Sequence, residues 1–65
     1  MKHAAKIWEV LLHSSTHDVG LVRMSNGLYC VCASPVKGHE ATGKLYSGMS
    51  IVAARKKFND LVEGK

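Results

Sequence analysis

The stretch that decides the fold is Met24-Ser25-Asn26-Gly27-Leu28-Tyr29-Cys30-Val31-Cys32. Asn-Gly between two apolar runs is a strong signal for a β-hairpin, because both residues tolerate the positive φ of a type I′ turn. A two-residue turn places Met24 opposite Tyr29 and Leu21 opposite Cys32. Because side chains alternate along a strand, one face of the sheet then carries Met24, Val22, Tyr29 and Val31, and the other carries Leu21, Arg23, Leu28, Cys30 and Cys32. Both faces are largely apolar.

Two further strands are predicted outside this hairpin. Ile7 to Leu12 is short and contains Trp and Val, which favours a strand over the competing short helix. The second strand in chain order, Val19 to Met24, is the first strand of the hairpin. It contains Gly20, which marks a bulge or a close backbone approach. After a loop at Pro35 and Gly38, the run from Glu40 to Leu45 predicts a fourth strand at an edge of the sheet.

The C-terminal segment predicts a helix. Its apolar side chains repeat at helical spacing and form one stripe: Ile51, Ala54, Phe58, Leu61 and Val62. Ser47 is the predicted N-cap, since Tyr46 and Ile51 would then form a hydrophobic staple; Ser50 is the alternative, and Gly64 ends the helix. The fold class is therefore α+β, a three- to four-stranded antiparallel meander with one C-terminal helix packed on one face.

Composition limits the class of protein. The 65 residues predict a single domain, 1–65, and the net charge of +4 favours anionic partners without identifying one. Cys30 and Cys32 are two residues apart, and an extended strand separates such residues by about 6.5–7 Å, at the limit of disulfide reach, so we expect reduced thiols and a cytoplasmic protein. The apolar run at the first strand is interrupted by Glu9 and ends at Leu12, so it is too short for a signal-peptide core or a membrane span. We therefore expect neither secretion nor membrane insertion.

One group of residues has the donor atoms of a zinc site. His13, His17, Cys30 and Cys32 supply two imidazoles and two thiols. Their spacing differs from that of known structural zinc sites, because Cys-x-Cys within a strand lacks the turn that brings thiolates together. We therefore expect buried cysteines, exposed turn histidines, no metal and no cofactor.

Residue patterns that would indicate catalysis are weaker than the pattern of zinc donors. A thiol nucleophile could be imagined from either cysteine with His3, His13, His17 or His39, but nothing in the sequence orients a base or lowers a thiol pKa. The carboxylates are scattered, and so short a chain has little room for a substrate pocket. We expect no enzymatic activity and no small-molecule substrate.

From Leu21 to Leu61 the order of elements resembles the small sheet-plus-helix DNA-binding domains at the start of tyrosine-type phage integrases. The residues that carry the resemblance are Asn26-Gly27-Leu28-Tyr29-Cys30, Pro35, Gly38, Glu40, Gly43 and the helix from about Ile51. In that family one face of a three-stranded sheet enters the major groove. The resemblance implies that Arg23, Cys30, Cys32 and Lys44 share this face, where arginine and lysine suit phosphates or base edges.

A single helix covers one face of the sheet, so the other is expected to expose apolar side chains. Exposed apolar patches commonly mark protein contacts. The first hypothesis is a small regulator or inhibitor, of phage or mobile-element type, that docks on a protein or forms a homodimer through Leu21, Arg23, Leu28, Cys30 and Cys32. The alternative is a nucleic-acid-binding module, with candidate contacts at Arg23, Lys37, Lys44, Arg55 and Lys56.

Overall fold

Four antiparallel strands and one helix follow one another along the chain, in a computed structural model that describes residues 5–64. The elements are β1 (Ile7–Ser14), β2 (Val19–Met24), β3 (Tyr29–Ala33), β4 (Thr42–Gly48) and α1 (Ile51–Glu63). The sheet order is β1-β2-β3-β4, and α1 lies across β2, β3 and β4. The predicted α+β meander is confirmed. β1 extends further than predicted, to Ser14, and β4 begins later, at Thr42.

The central hairpin forms at the predicted place but with a different turn. The Met24 carbonyl accepts from the Gly27 amide at 3.0 Å, and the Met24 amide donates to the Leu28 carbonyl at 2.8 Å. The loop therefore has three residues, and within it the positive φ is at Gly27, at 89°. This is a tight turn followed by a left-handed glycine, the second common way to close a hairpin. The predicted two-residue type I′ turn is wrong.

The extra loop residue shifts the pairing of β2 with β3 by one position. Arg23 pairs with Tyr29, and Leu21 pairs with Val31. A one-residue shift moves one strand's side chains to the other face relative to its partner. Leu21 therefore lies under the helix, whereas Cys30 and Cys32 lie on the opposite face. The predicted common face for Leu21 and the cysteines is wrong.

The helix packs as its apolar stripe predicts. Its buried side chains form the helix-face cluster with the sheet, which comprises Val19, Leu21, Val31, Ala54 and Phe58. Ser50 is the N-cap, because its side chain accepts from the Ala53 amide at 3.2 Å. The prediction of Ser47 is wrong, since that residue continues β4 and pairs with Cys30. Gly64 ends the helix in a left-handed conformation, as predicted.

The opposite face of the sheet is closed by the chain itself. Its buried side chains form the closed-face cluster of Ile7, Val22, Met24, Cys30 and Cys32. Irregular pairing at Trp8 and Leu11 bends β1, as bulges do. Ile7 then reaches the β3–β4 loop, donating to the His39 carbonyl at 2.8 Å and accepting from the Gly38 amide at 2.9 Å. The expectation of an exposed apolar sheet face is therefore wrong.

Gly20 marks a close approach between chain segments, as predicted. A Cβ at this position would clash with the ring of Pro35 and lie 3.0 Å from the Leu12 carbonyl oxygen. The missing side chain lets the β3–β4 loop lie against β2. That loop in turn covers the closed-face cluster, with Ala41 packed against it.

Candidate functional site

The five residues predicted to bind a partner do not form one surface. Leu21, at 1% exposed, belongs to the helix-face cluster, and Cys30 and Cys32 are buried in the closed-face cluster. Leu28 is half-buried against the closed-face cluster, and Arg23 is exposed. These five residues therefore do not provide a common apolar surface on the folded protein.

An apolar groove lies between β1 and the start of α1. We call it the β1–α1 groove; it has a volume of about 210 Å³ and is lined by Leu11, Leu12, Leu21, Ile51 and Arg55. Leu21 is its buried residue, whereas Leu11 and Leu12 are 37% and 38% exposed. The groove therefore places an apolar wall in contact with solvent beside one cationic side chain.

Local structure explains why the groove is open. The helix begins at Ile51, because Ser50 caps it, and then crosses the three strands other than β1. The irregularity in β1 between Val10 and Leu12 leaves Leu11 unpaired with β2, and both leucines line the groove. Consecutive leucines break strand alternation, and this signal could have located the bulge from the sequence.

The edge of β1 beside the groove is unpaired. Within residues 5–64, β1 pairs with β2 on one side, and only Ile7 makes backbone hydrogen bonds to a loop on the other side. Beyond the second bulge the strand is regular, with Leu12, His13 and Ser14 paired in sequence to Leu21, Gly20 and Val19. An unpaired strand edge presents free donors and acceptors to another chain.

A second exposed feature combines an aromatic ring with a cation. Trp8 is 64% exposed and lines a cleft of about 270 Å³ with Arg23 and the hairpin residues Met24, Ser25 and Gly27. Arg23 pairs with Glu9 on β1 and with Tyr29 on β3. The cleft offers a stacking surface beside a guanidinium group.

The candidate nucleic-acid contacts are all exposed but occupy different parts of the molecule. Arg23 is on β2, Lys37 is in the β3–β4 loop, Lys44 is on β4, and Arg55 and Lys56 are on α1. Lys56 lies 3.4 Å from Asp60, one helical turn away. The face that the integrase resemblance implies is not formed, because Arg23 pairs with Tyr29 on the helix side of the sheet, whereas Cys30 and Cys32 are buried on the opposite side.

A polar cluster joins the β1–β2 turn to the end of β3. Ser34 donates its hydroxyl to Asp18, and the same carboxylate lies 3.3 Å from His13 Nε2. These contacts, the serine hydrogen bond first, lower the pKa of Asp18. A nucleophilic serine donates to a histidine base. Here the serine donates to the carboxylate, so the cluster is arranged for holding the turn.

The zinc set is not brought together. Cys30 and Cys32 are buried, whereas His13 is exposed near the end of β1 and His17 is exposed in the β1–β2 turn. In the described part of the chain, no three histidine, cysteine or acidic side chains converge on a point suited to a metal ion. Burial raises the pKa of the Cys32 thiol, which disfavours the thiolate that a metal or a nucleophilic reaction needs. His3, another candidate base, lies outside the described residues.

The helix α1, described within residues 5–64, has neither the length nor the apolar character needed to cross a membrane.

Comparison of the chain with protein-family models, curated proteins and solved structures finds no match. What the protein does must therefore be inferred from its own geometry.

Proposed function

We propose that the protein is a non-enzymatic interaction module that docks on a protein partner through the β1–α1 groove. The observation that carries this proposal is the combination of exposed Leu11 and Leu12 with an unpaired strand edge. Apolar contacts supply affinity, and edge hydrogen bonds supply orientation. Binding at this site would regulate or inhibit the partner.

The size of the groove limits what it can contribute. A cavity of this order, about 210 Å³, holds one large apolar side chain. Burying such a side chain is worth about 1.5–3 kcal/mol. The remaining affinity must come from the strand edge and the rim, so we expect a transient complex.

The polar chemistry of the chain supports a role without catalysis. The Ser34 hydroxyl donates to Asp18 and both thiols are buried, so neither Ser34 nor either cysteine is presented as an activated nucleophile. Both cysteines are free thiols, which suits the reducing cytoplasm, and we place the protein there.

The test compares two leucines on the two outer strands. Leu12→Asp adds a charge to the groove, whereas Leu45→Asp adds the same charge on β4, where Leu45 is 46% exposed and does not line the groove. Tagged wild-type protein and both variants are used to capture partners from nuclease-treated extracts of expressing cells. A partner retained by wild type and Leu45→Asp but lost from Leu12→Asp supports the proposal. Equal capture by all three proteins contradicts it, provided that circular dichroism shows all three folded.

Binding of single-stranded nucleic acid is the second candidate, favoured by the exposed Trp8 beside Arg23. Aromatic stacking contributes about 1–3 kcal/mol per base, and phosphate contacts make the affinity fall as salt rises. Trp8 is the only tryptophan, so quenching of its fluorescence by an oligonucleotide reports this cleft directly. Quenching that is weakened by salt and by Arg23→Gln supports this role, and fluorescence unchanged by the oligonucleotide contradicts it.

A further inference from the structure

From the shape and charge of the β1–α1 groove, we infer that its occupant is a short extended segment of another protein that adds to the edge of β1. This segment places one large apolar side chain in the groove and an acidic side chain against Arg55. The inference rests on the proposed function, because it specifies which kind of partner the same site accepts.

The backbone arrangement favours an extended segment over a helix. The groove runs beside β1, and in the regular part of that edge, Leu12 to Ser14, antiparallel alternation turns the N–H and C=O groups of His13 away from β2, where a strand-like partner can pair with them. A helix satisfies its own backbone groups and needs a groove that accepts several side chains from successive turns. This groove accepts one, at about 210 Å³.

The charge at the rim favours an acidic partner. Arg55 is the charged residue among the side chains that line the groove, and it is exposed. The nearest cation along the helix, Lys56, lies 3.4 Å from Asp60. Glu9, the acid on β1, is opposite Arg23 in the sheet, on the other side of the Leu11 bulge. The guanidinium of Arg55 therefore faces the site as a cation that an incoming carboxylate can pair with.

The shape of β1 disfavours a second copy of this chain as the occupant. Two β1 strands paired about a two-fold axis would need a regular edge along most of their length. The bulges at Trp8 and Leu11 interrupt that edge. A separate segment of a few residues needs only the regular part beyond the second bulge.

The experiment selects peptides from a random library displayed against the intact, folded protein. The expected peptides carry Leu, Ile or Phe next to Asp or Glu, and their binding is lost with Leu12→Asp. Removing one exposed ion pair changes affinity by about two- to fivefold, so Arg55→Gln should weaken the peptides by that factor. Lys57→Gln, on the same helix but not lining the groove, is the matched control and should leave affinity unchanged.

Two further readouts decide the binding mode and the charge. Amide hydrogen exchange at His13, whose N–H points away from β2, should slow when the peptide binds, because a new strand protects this edge. Selection against Arg55→Glu should enrich basic peptides in place of acidic ones.

The possible outcomes separate this inference from the proposed function. Peptides that bind at the groove without an acid, or without protecting the His13 amide, overturn the inference while the docking function stands. A homodimer in solution that Leu12→Asp dissociates overturns it too, since the occupant is then a second copy. Peptides that bind equally to wild type and Leu12→Asp contradict both.

Discussion

Replacing Leu21 with alanine tests the pairing of the central hairpin. Leu21 is 1% exposed and packs with Val31, Ala54 and Phe58 in the helix-face cluster. Truncating a buried leucine to alanine costs about 2–5 kcal/mol, and a 65-residue domain is stable by about 3–10 kcal/mol. We therefore expect Leu21→Ala to remove a large share of the free energy of unfolding and to lower the melting temperature by about 10–30 °C.

Leu12 is the matched control, because it pairs with Leu21 on the neighbouring strand but is 38% exposed. Leu12→Ala leaves no closed cavity, so its cost should be about 1 kcal/mol. Urea denaturation followed by circular dichroism measures both variants. If the two substitutions lower the free energy of unfolding by the same amount, Leu21 is not under the helix. The strand pairing set by the three-residue loop is then wrong.

Three other predictions follow from contacts in the fold. Gly20→Ala should cost about 1–3 kcal/mol in urea denaturation, because its methyl group would clash with a proline ring; an unchanged midpoint would show that the loop does not pack there. Asp18 has a lowered pKa, so its ionised form stabilises the fold above the ordinary carboxylate pKa, and this stability is lost as pH falls through the folded-state value. Asp18→Asn should therefore show a smaller drop in melting temperature on acidification than wild type, and equal drops would contradict this. Cys30 and Cys32 are buried, so maleimide should label them only as the protein unfolds, and rapid labelling of the native protein would contradict this burial. A chelator should leave the melting temperature unchanged. A fall in melting temperature with EDTA would argue against the closed-face cluster, in which the thiols bind no metal.

The local sequence identified every element that depends on periodicity. The apolar stripe of the C-terminal segment predicted the inner face of α1, and Ala54 and Phe58 are buried there. Gly64 ends the helix because a left-handed residue is needed at that position. Such features depend on neighbours a few residues apart, and those neighbours are visible in the sequence.

The hairpin register shows where local signals are ambiguous. Asn26-Gly27 is compatible with a two-residue turn and also with a three-residue loop in which only Gly27 has a positive φ. Both registers bury apolar side chains on each face. The three-residue loop combines Leu21 with Val31 under the helix, and this choice depends on packing between distant segments.

The sequence by itself determined the α+β class, the order of strands and helix, and the side of the helix that packs inward, since each depends on residue type and local spacing. Only the tertiary structure decided which sheet face is closed and where an apolar groove remains. The bulges in β1 bring Ile7 to Gly38 and His39, closing the face predicted to be open, and they leave Leu11 and Leu12 beside the start of α1. Both outcomes depend on how residues about 30–40 positions apart meet, and the burial of the whole chain, not a local preference, sets that contact.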